Sequence, residues 1–176
     1  MKINLGCGTD IRPTYVNVDK VRLTGVNVVH DLSLIPLPFA DDCAEEVLCI
    51  HVIEHITPLV PLLKDIHRVL KPGGRAVFHV PHFTSVSMFE DPTHRNFFAC
   101  GTFTFFTVQS PRSYYFDFAF SSLERLRLTF PKRRLFALNR PIERAVNASE
   151  WLRVVYESSA LRSLFPADSI EAVLVK

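Results

Sequence analysis

The sequence predicts an α/β fold built on a mostly parallel sheet, and three features support this prediction. Short apolar runs separated by turns surround one strongly amphipathic helix. The run at residues 46–52 is almost continuously apolar, which is typical of a strand buried on both faces of a parallel sheet. The helix after it leads into another apolar run at residues 75–80, and this order of strand, helix and strand forms a crossover between parallel strands.

The amphipathic helix is the clearest single element. Thr57 and Pro58 open it, because proline is tolerated in the first turn of a helix. Leucine, isoleucine and valine then recur at helical spacing over residues 59–70, with charged residues between them. Gly73 and Gly74 are predicted to stop this helix before the strand at residues 75–80.

The remaining elements follow from shorter patterns. Residues 26–29 form a third strand candidate after those that open the chain. Residues 123–136 read as two antiparallel strands around a turn, and residues 170–175 as a last strand. Residues 147–164 are predicted to form a helix, with Ser149 as its N-cap.

The opening stretch carries the clearest functional pattern. An apolar run at residues 3–5 ends in Gly6-Cys7-Gly8, and a second run at residues 16–18 ends in Asp19. Glycines after a first strand let the backbone approach a ligand, and an acid after the next strand accepts hydrogen bonds from ribose hydroxyls. This pairing predicts a nucleoside-binding half. An ordinary turn explains the two glycines equally well when they are taken alone, since the dinucleotide fingerprint has a third glycine that is missing here.

Composition limits the class of protein. The 176 residues carry a formal charge of +2 and are 48% hydrophobic, which fits a globular chain with no strong nucleic-acid signal. No apolar run reaches the roughly 18 residues of a membrane span, and the first residues lack a secretory signal pattern. The four cysteines show no paired spacing. We therefore expect a single domain over residues 1–176, reduced thiols and a cytoplasmic location.

Five motifs occur in the order and spacing of a known family. They are INLGCG at 3–8, VNVD at 16–19, VVHDL at 28–32, EVLCIHVIEHI at 46–56 and LLKDIHRVLKPGG at 62–74. Together they resemble the class I S-adenosylmethionine-dependent methyltransferases, specifically the small type 11 group, over about residues 2–82. The resemblance implies a Rossmann-like sheet closed by an antiparallel C-terminal strand pair. It also implies methyl transfer from S-adenosyl-L-methionine, with S-adenosyl-L-homocysteine as product, to a small-molecule acceptor.

The resemblance divides the chain into a cofactor-binding half, residues 1–82, and a half that recognises the substrate and closes the sheet, residues 83–176. It places the glycines under the methionine portion, Asp19 on the ribose and Asp31 at the adenine amino group. The implied cofactor-binding residues are Asn4, Gly6, Cys7, Gly8, Asp19, Asp31, Leu32, Cys49, Ile50 and His51. Asn4 departs from the family pattern, which usually has an acid at this position.

The first crossover connections are unusually short. Only nine residues, 6–14, separate the first two strands, whereas a crossover with its own helix usually needs at least about 10–12. We therefore expect abbreviated helices in the N-terminal half and one sheet face that is poorly covered. Our hypothesis is that a second copy covers this face, so that the protein forms a homodimer or another homo-oligomer.

The second half contains the candidate catalytic and substrate residues. His82 follows the strand at residues 75–80, and ligands in open α/β folds bind beyond the carboxyl ends of the strands. Asp91, His94 and Arg95 lie in one predicted turn. A histidine oriented by a carboxylate removes a proton from a nucleophile, and an arginine holds an anion. We predict His82 or His94 as the base and Asp91 and Arg95 as substrate contacts. Alternatively, Asp91 and Arg95 pair to fix the loop and His94 caps a helix.

Charge in the second half bears on the acceptor. Residues 111–147 hold eight Lys or Arg against three acids, which suits an anionic acceptor, either lipid-linked or sugar-linked. A solvated edge hairpin explains the same charges, because alternating arginines commonly protect edge strands.

Three other interpretations stay open. The segment from His51 to His55 matches H-x-x-E-H, the inverted zinc-protease motif. Pro58 and the proline three residues later prevent a long helix through it, so we expect no metal there. Asp19 and Asp31 could be strand-end caps, and His51 a buried core residue. For the whole chain, a non-catalytic nucleoside-binding protein and a nicotinamide-dependent oxidoreductase are the rival functions.

Overall fold

A computed structural model describes residues 1–132 and 138–176. The strands are β1 (Lys2–Leu5), β2 (Val16–Asp19), β3 (Val28–Val29), β4 (Ala44–Ile50), β5 (Leu70–Pro81), β6 (Ser122–Thr129) and β7 (Ser169–Val175). The helices are α1 (Leu59–Val69), α2 (Ser87–Glu90), α3 (Cys100–Thr104), α4 (Asn139–Val146), α5 (Glu150–Ser158) and α6 (Leu161–Leu164), with a 3₁₀ turn at Ser113–Tyr115.

The seven strands form one sheet in the order β3-β2-β1-β4-β5-β7-β6. Strands β1 to β5 are paired in parallel, and β7 runs antiparallel to both β5 and β6. This confirms the predicted fold class, including the antiparallel C-terminal pair. The strand order reverses between β1 and β4, so the crevice at the carboxyl ends of these two strands is where an open α/β sheet binds its ligand.

The core lies along the central strands and helix α1. Residues at alternate and neighbouring positions of β1, β4 and β5 are almost fully buried, as is the apolar face of α1 formed by Leu62, Leu63, Ile66 and Val69. Asp65 is buried on the same helix, where it accepts the backbone N–H of Leu37 at 2.7 Å and pairs with Arg68. The helix therefore holds the loop after β3 as well as the sheet.

Several element boundaries differ from the sequence prediction. Helix α1 ends at Val69, before the two glycines, because Pro72 disfavours helical backbone at the residue before it. Strand β4 begins and ends two residues earlier than residues 46–52, and β3 has two residues instead of four. The predicted helix at 147–164 is divided into α5 and α6, although Ser149 does cap α5 by accepting the N–H of Leu152 at 3.2 Å.

The predicted hairpin at residues 123–136 is only partly visible. Its first strand is β6, which pairs with β7. Its second strand falls largely on residues 133–137, which lie outside the described residues. Within the described parts of the chain, no helix has the length and apolar composition needed to cross a membrane.

A loop replaces the helix that is missing between β1 and β2. Asn17 on β2 is buried, and its Oδ1 accepts the N–H of Arg12 at 3.0 Å and the Nδ2 of Asn4 at 3.1 Å. Its own Nδ2 donates to the carbonyls of Arg12 and Tyr15 at 3.0 and 3.3 Å. The polar backbone of the loop is therefore satisfied by two strand asparagines. The homo-oligomer stays a prediction.

We expect Asn17→Ala to destabilise the protein by about 2–4 kcal/mol, because buried donors and acceptors left without partners cost roughly 1–3 kcal/mol each. The exposed Asn27, which accepts the backbone N–H of Asn17 at 2.8 Å, provides the control. Asn27→Ala should cost less than about 1 kcal/mol, since water replaces the lost bond. Urea unfolding of both variants measures the difference, and equal losses would contradict the anchoring role of Asn17.

Candidate functional site

A cavity of about 610 Å³ opens at the carboxyl ends of β1 to β4. Its size falls within the roughly 300–1,000 Å³ typical of small-molecule sites. The residues that line it come from the ends of four strands and from the insertion after β5: Gly6, Asp19, Lys20, Asp31, Leu32, Ser33, His51, Val52, His55, Ile56, Thr57, Thr93 and Arg95.

The glycine loop after β1 positions Asp19. The N–H of Gly8 donates to Asp19 Oδ2 at 2.8 Å, and the N–H of Val21 donates to Oδ1 at 2.9 Å. A carboxylate offers about four lone-pair sites on its two oxygens, so each oxygen keeps acceptor capacity toward the cavity. The carboxylate is therefore held in place and still able to bind two hydroxyl groups.

Gly6 is required at its position by packing. It has a φ of +61°, and a Cβ added there would lie 2.6 Å from Val52 Cγ2. Gly8 also has a positive φ, +49°, but no heavy atom of the described residues lies within 4 Å of its Cβ position. Only Gly6 therefore brings the backbone directly against the turn that follows β4.

Asp31 is the second acid of the cavity. Its Oδ1 accepts the backbone N–H of Ser33 at 2.9 Å and the Ser33 hydroxyl at 2.8 Å. These two hydrogen bonds from Ser33 lower the pKa of the Asp31 carboxyl below its ordinary value. The side chain stays ionised at neutral pH, and Oδ2 makes no hydrogen bond within the described residues, which leaves it available to a donor on a ligand.

His51 marks the sharp end of β4. Its φ of +53° is in the left-handed region, which is uncommon for any residue other than glycine. This conformation turns the chain so that His51, Val52 and His55 all reach the cavity wall. Backbone strain of this kind clusters at functional sites.

Comparison with known proteins bears directly on this arrangement. The sequence profile of the family described as "Methyltransferase domain" matches residues 4–78, the part of the chain that forms β1 to β5 up to Phe78. Residues 4–78 therefore match the methyltransferase domain family that the sequence motifs resemble. This match confirms the predicted family and, with it, the predicted cofactor, S-adenosyl-L-methionine.

Solved structures agree on the fold. A SAM-dependent methyltransferase from Archaeoglobus fulgidus is 20% identical with a TM-score of 0.66, covering 99% of this chain and 85% of its own. The phosphoethanolamine N-methyltransferase 2 of Haemonchus contortus, solved with S-adenosylhomocysteine, is 15% identical with a TM-score of 0.57, covering 99% of this chain and 48% of its own. The [4+2]-cyclase SpnF is 15% identical with a TM-score of 0.58, covering 99% of this chain and 74% of its own. No curated protein gave a match to the sequence.

The methyltransferase cavity contains only part of the predicted cofactor set. Gly6, Asp19, Asp31, Leu32 and His51 line it, whereas the other predicted residues do not: Asn4, Cys7, Gly8, Cys49 and Ile50. Of these five, Asn4, Cys7 and Cys49 are buried, and sequence position alone does not show this burial.

Two of the residues outside the cavity have clear structural roles. Asn4 Nδ2 donates to the carbonyl of Asp10 at 2.8 Å and to Asn17, so the side chain anchors the loop. Cys49 is fully buried in β4, and this burial, together with the nearby Glu54 carboxylate, raises the pKa of its thiol well above the ordinary value. Asn4 and Cys49 therefore have structural roles, and their roles toward the cofactor stay predictions.

The sequence analysis missed several lining residues. Lys20, Ser33 and Thr57 directly follow or closely precede motif residues, so a rule that includes the neighbours of each strand end would have found them. Thr93 lies between the predicted residues Asp91 and Arg95 in the insertion after β5, so the same rule applied to that turn would have found it.

His82 is not placed to act as a base. Its side chain is 0% exposed, it lines neither this cavity nor the one described below, and Nε2 lies 3.0 Å from Glu157 Oε1 on α5. Its Nδ1 accepts the N–H of Thr84 at 3.2 Å. Both ring nitrogens are occupied, so the structure contradicts our prediction of His82 as a catalytic residue. The histidine instead connects the end of β5 to α5.

A second cavity of about 560 Å³ adjoins the first and shares His51 and His55 with it. Its lining includes the predicted residues Asp91 and His94, whereas Arg95 lines the first cavity. Asp91 accepts the N–H of Thr93 at 2.8 Å and its hydroxyl at 2.6 Å, and it does not pair with Arg95. The alternative in which Asp91 and Arg95 fix the loop as an ion pair is therefore wrong.

The two glycines should respond differently to alanine. Gly8→Ala should cost about 1–2 kcal/mol of unfolding free energy, the price of left-handed backbone for an L-residue. Gly6→Ala should cost a further 1–3 kcal/mol or so, because its methyl group overpacks against Val52. Urea unfolding of the two variants tests this order, and a larger loss for Gly8→Ala would contradict it.

The buried contact between His82 and Glu157 should appear in the pH dependence of stability. Burial raises the pKa of the Glu157 carboxyl, but hydrogen bonds from His82 and Cys100 outweigh it, so the pKa is lowered from its ordinary value of 4.5. A lowered pKa contributes stability that is present above pH 4.5 and is lost as the pH falls through the folded-state value. At neutral pH, we expect the wild-type protein to have a higher free energy of unfolding than Glu157→Gln. This difference should become smaller below pH 4.5. A difference independent of pH, measured by urea unfolding, would refute the role of the charge.

Proposed function

We propose that this chain binds S-adenosyl-L-methionine in the first cavity and transfers its methyl group to a small-molecule acceptor in the second. The observation that carries the proposal is the placement of Asp19 and Asp31. These acids follow β2 and β3, and both face the same cavity beside Gly6. A nucleoside needs acceptors of this kind at two points, for its ribose hydroxyls and for its adenine amino group.

The residues divide the cofactor between them. Asp19, held by the N–H groups of Gly8 and Val21, binds the ribose hydroxyls. Asp31 accepts the adenine amino group through Oδ2, and Leu32 contributes an apolar surface beside the base. The methionine portion lies toward Gly6 and the turn after β4.

The acceptor reacts from the second cavity. The sulfonium group supplies an activated methyl, so the protein has mainly to hold the acceptor in line at short range. His51 and His55 belong to both cavities and therefore lie between the two reactants. His94 lines the acceptor cavity and remains the candidate base, because its Nδ1 faces the carbonyl of Met88 at 2.9 Å and must donate to it. Its Nε2 then carries the lone pair that takes a proton from the acceptor.

The charged residues that line the two cavities bear on the charge of the acceptor. Six of the eight basic residues of 111–147 lie in the described part of the chain and line neither of the two cavities, and Arg127 on β6 is paired with Glu143. Their charge therefore gives no support to a lipid-linked or sugar-linked anionic acceptor. Lys20 and Arg95 line the first cavity, where a positive charge complements the carboxylate of the methionine portion.

The homo-oligomer and the cytoplasmic location remain predictions. Sedimentation equilibrium of the purified chain measures the oligomeric state independently of the enzymatic proposal.

We expect Asp19→Asn to weaken binding of S-adenosylmethionine by about 10–100-fold, because hydrogen bonds to a charged group contribute roughly 1.5–3 kcal/mol. The amide also places an N–H₂ group against one of the N–H donors of the loop, which turns an attraction into a repulsion. Asp10→Asn is the matched control, since Asp10 lies on the same loop, pairs with Arg12 and does not line the cavity. Isothermal calorimetry measures both affinities.

Unchanged affinity of Asp19→Asn, with a normal unfolding curve, would refute the role of Asp19. A weakening in Asp10→Asn of the same size would show that the effect comes from the loop as a whole and not from the ribose contact.

A binding protein without turnover is the alternative function. SpnF shows that a chain of this fold can be a cyclase, so the fold alone does not establish methyl transfer. The shortened loop after β1, and Asn4 in place of the usual acid, favour the same alternative. Incubation with S-adenosylmethionine labelled in its methyl group and small-molecule extract fractions separates the two. Tight binding without label transfer to any fraction would support the non-catalytic function.

A further inference from the structure

Three side chains converge on the wall of the second cavity. Glu54 and His55 come from the turn after β4, and His94 comes from the insertion after β5. One potential ligand atom from each residue lies within 4.8 Å of the others, and this is the only such group of three found within residues 1–132 and 138–176. The two imidazole rings lie with their centroids 4.6 Å apart.

Hydrogen bonds use one nitrogen of each imidazole and leave the other without a protein partner among the described residues. His94 Nδ1 faces the Met88 carbonyl, which only accepts, so Nδ1 carries the hydrogen. His55 Nδ1 lies 2.8 Å from the hydroxyl of Thr93, which already donates to Asp91 at 2.6 Å, so this Nδ1 is also a donor. Both Nε2 atoms therefore carry lone pairs. Metal-binding histidines are oriented in this way by a carbonyl or carboxylate on the other nitrogen.

The third group is a carboxylate with an unsatisfied oxygen. Glu54 is 0% exposed, and its Oε2 has no hydrogen-bond partner among the described residues. Its Oε1 lies 3.2 Å from His51 Nδ1. A buried carboxylate oxygen without a partner is costly, and native structures rarely retain one without a functional reason. A cation between Glu54 and the two Nε2 atoms would satisfy it.

The two segments that carry the cluster are locked together. The N–H groups of Arg95 and Asn96 donate to the carbonyl of Glu54 at 2.7 and 3.0 Å. Asn96 Nδ2 also donates to the carbonyls of Ile53 and Ile56, both at 2.8 Å. The turn holding Glu54 and His55 is therefore fixed against the segment holding His94, as a preorganised site requires.

We propose that Glu54, His55 and His94 bind a divalent transition-metal ion. Two neutral imidazoles and one carboxylate suit zinc, manganese or iron, whereas magnesium prefers oxygen ligands alone. This replaces our expectation of no metal at H-x-x-E-H. The prolines do prevent a long helix through this motif. They do not exclude a metal, because the three ligands come from a turn and an insertion and not from one helix. All three line an open cavity, so positions remain for a ligand on the acceptor side. If the proposed function holds, an oxygen of the acceptor would reach the ion there, and His94 with its Nε2 on the ion would act as a ligand and not as the base.

The test is metal binding by the full chain, independent of any methyl transfer. Chelator-treated protein carrying Cys43→Ser, which removes the one half-buried thiol among four cysteines, is titrated with Zn²⁺ against a chromophoric chelator. We expect one ion per chain.

His94→Ala and Glu54→Gln should each weaken binding by more than about 100-fold, since loss of a supporting partner alone costs roughly 10–100-fold. Thr93→Val leaves the three ligands in place but removes the hydrogen bond to His55. It should weaken zinc binding by the smaller factor, roughly 10–100-fold. His30→Gln is the control, because this half-buried histidine bonds the Leu34 carbonyl and is not part of the cluster.

A stability measurement gives a second, independent result. Without metal, Glu54→Gln should raise the melting temperature, because it removes a buried charge with an unsatisfied oxygen. Zinc should then raise the melting temperature of the parent protein and not that of Glu54→Gln. Cobalt(II) should give visible absorption of a nitrogen and oxygen site without the intense near-ultraviolet bands of thiolate ligands.

The proposal is overturned if the parent protein fails to bind zinc at micromolar concentration, or if His94→Ala and Glu54→Gln bind as tightly as His30→Gln. Thiolate bands in the cobalt spectrum overturn it as well, since they place the metal on cysteine. If His94→Ala does not fold, the cobalt spectrum and the Glu54→Gln melting curve decide the outcome. Metal binding without methyl transfer would leave this site intact and count only against the proposed function.

Discussion

The site depends on how the buried asparagines of β1 and β2 satisfy the loop between them. A crossover of nine residues has no room for a helix, so its backbone polar groups need other partners. Asn4 and Asn17 supply them from the strands. The loop then presents the N–H of Gly8 to Asp19, so the position of this cavity acid follows from two side chains that do not line the cavity.

The turn after β4 links the two cavities. His51 ends the strand with left-handed backbone, and Gly6 lets this turn pack against the glycine loop through Val52. The same turn carries Glu54 and His55, which the insertion after β5 holds through Asn96. One short segment thus borders the first cavity on one side and the second cavity on the other.

The histidines show why residue type and strand position are not sufficient to assign a role. His82 and His51 each follow a parallel strand, and the strand-end rule applies equally to both. His82 is nevertheless buried against Glu157 on α5, whereas His51 faces the cavities. The difference comes from the local backbone and from a helix about 75 residues further along the chain, as the His82–Glu157 contact shows. Neither is visible in the neighbouring sequence.

Sequence by itself determined the sheet, its parallel and antiparallel parts, helix α1 and the acids Asp19 and Asp31, because each depends on local periodicity or on a motif at a strand end. The observed boundaries of β4 and α1 differ from the predicted ones by a few residues. Pairing with neighbouring strands sets the ends of β4, and Pro72 limits how far α1 extends. Only the tertiary structure decided that His82 is structural and that His94 meets Glu54. These contacts join segments far apart in the chain, and their geometry depends on hydrogen bonds whose partners no pattern of neighbouring residues identifies.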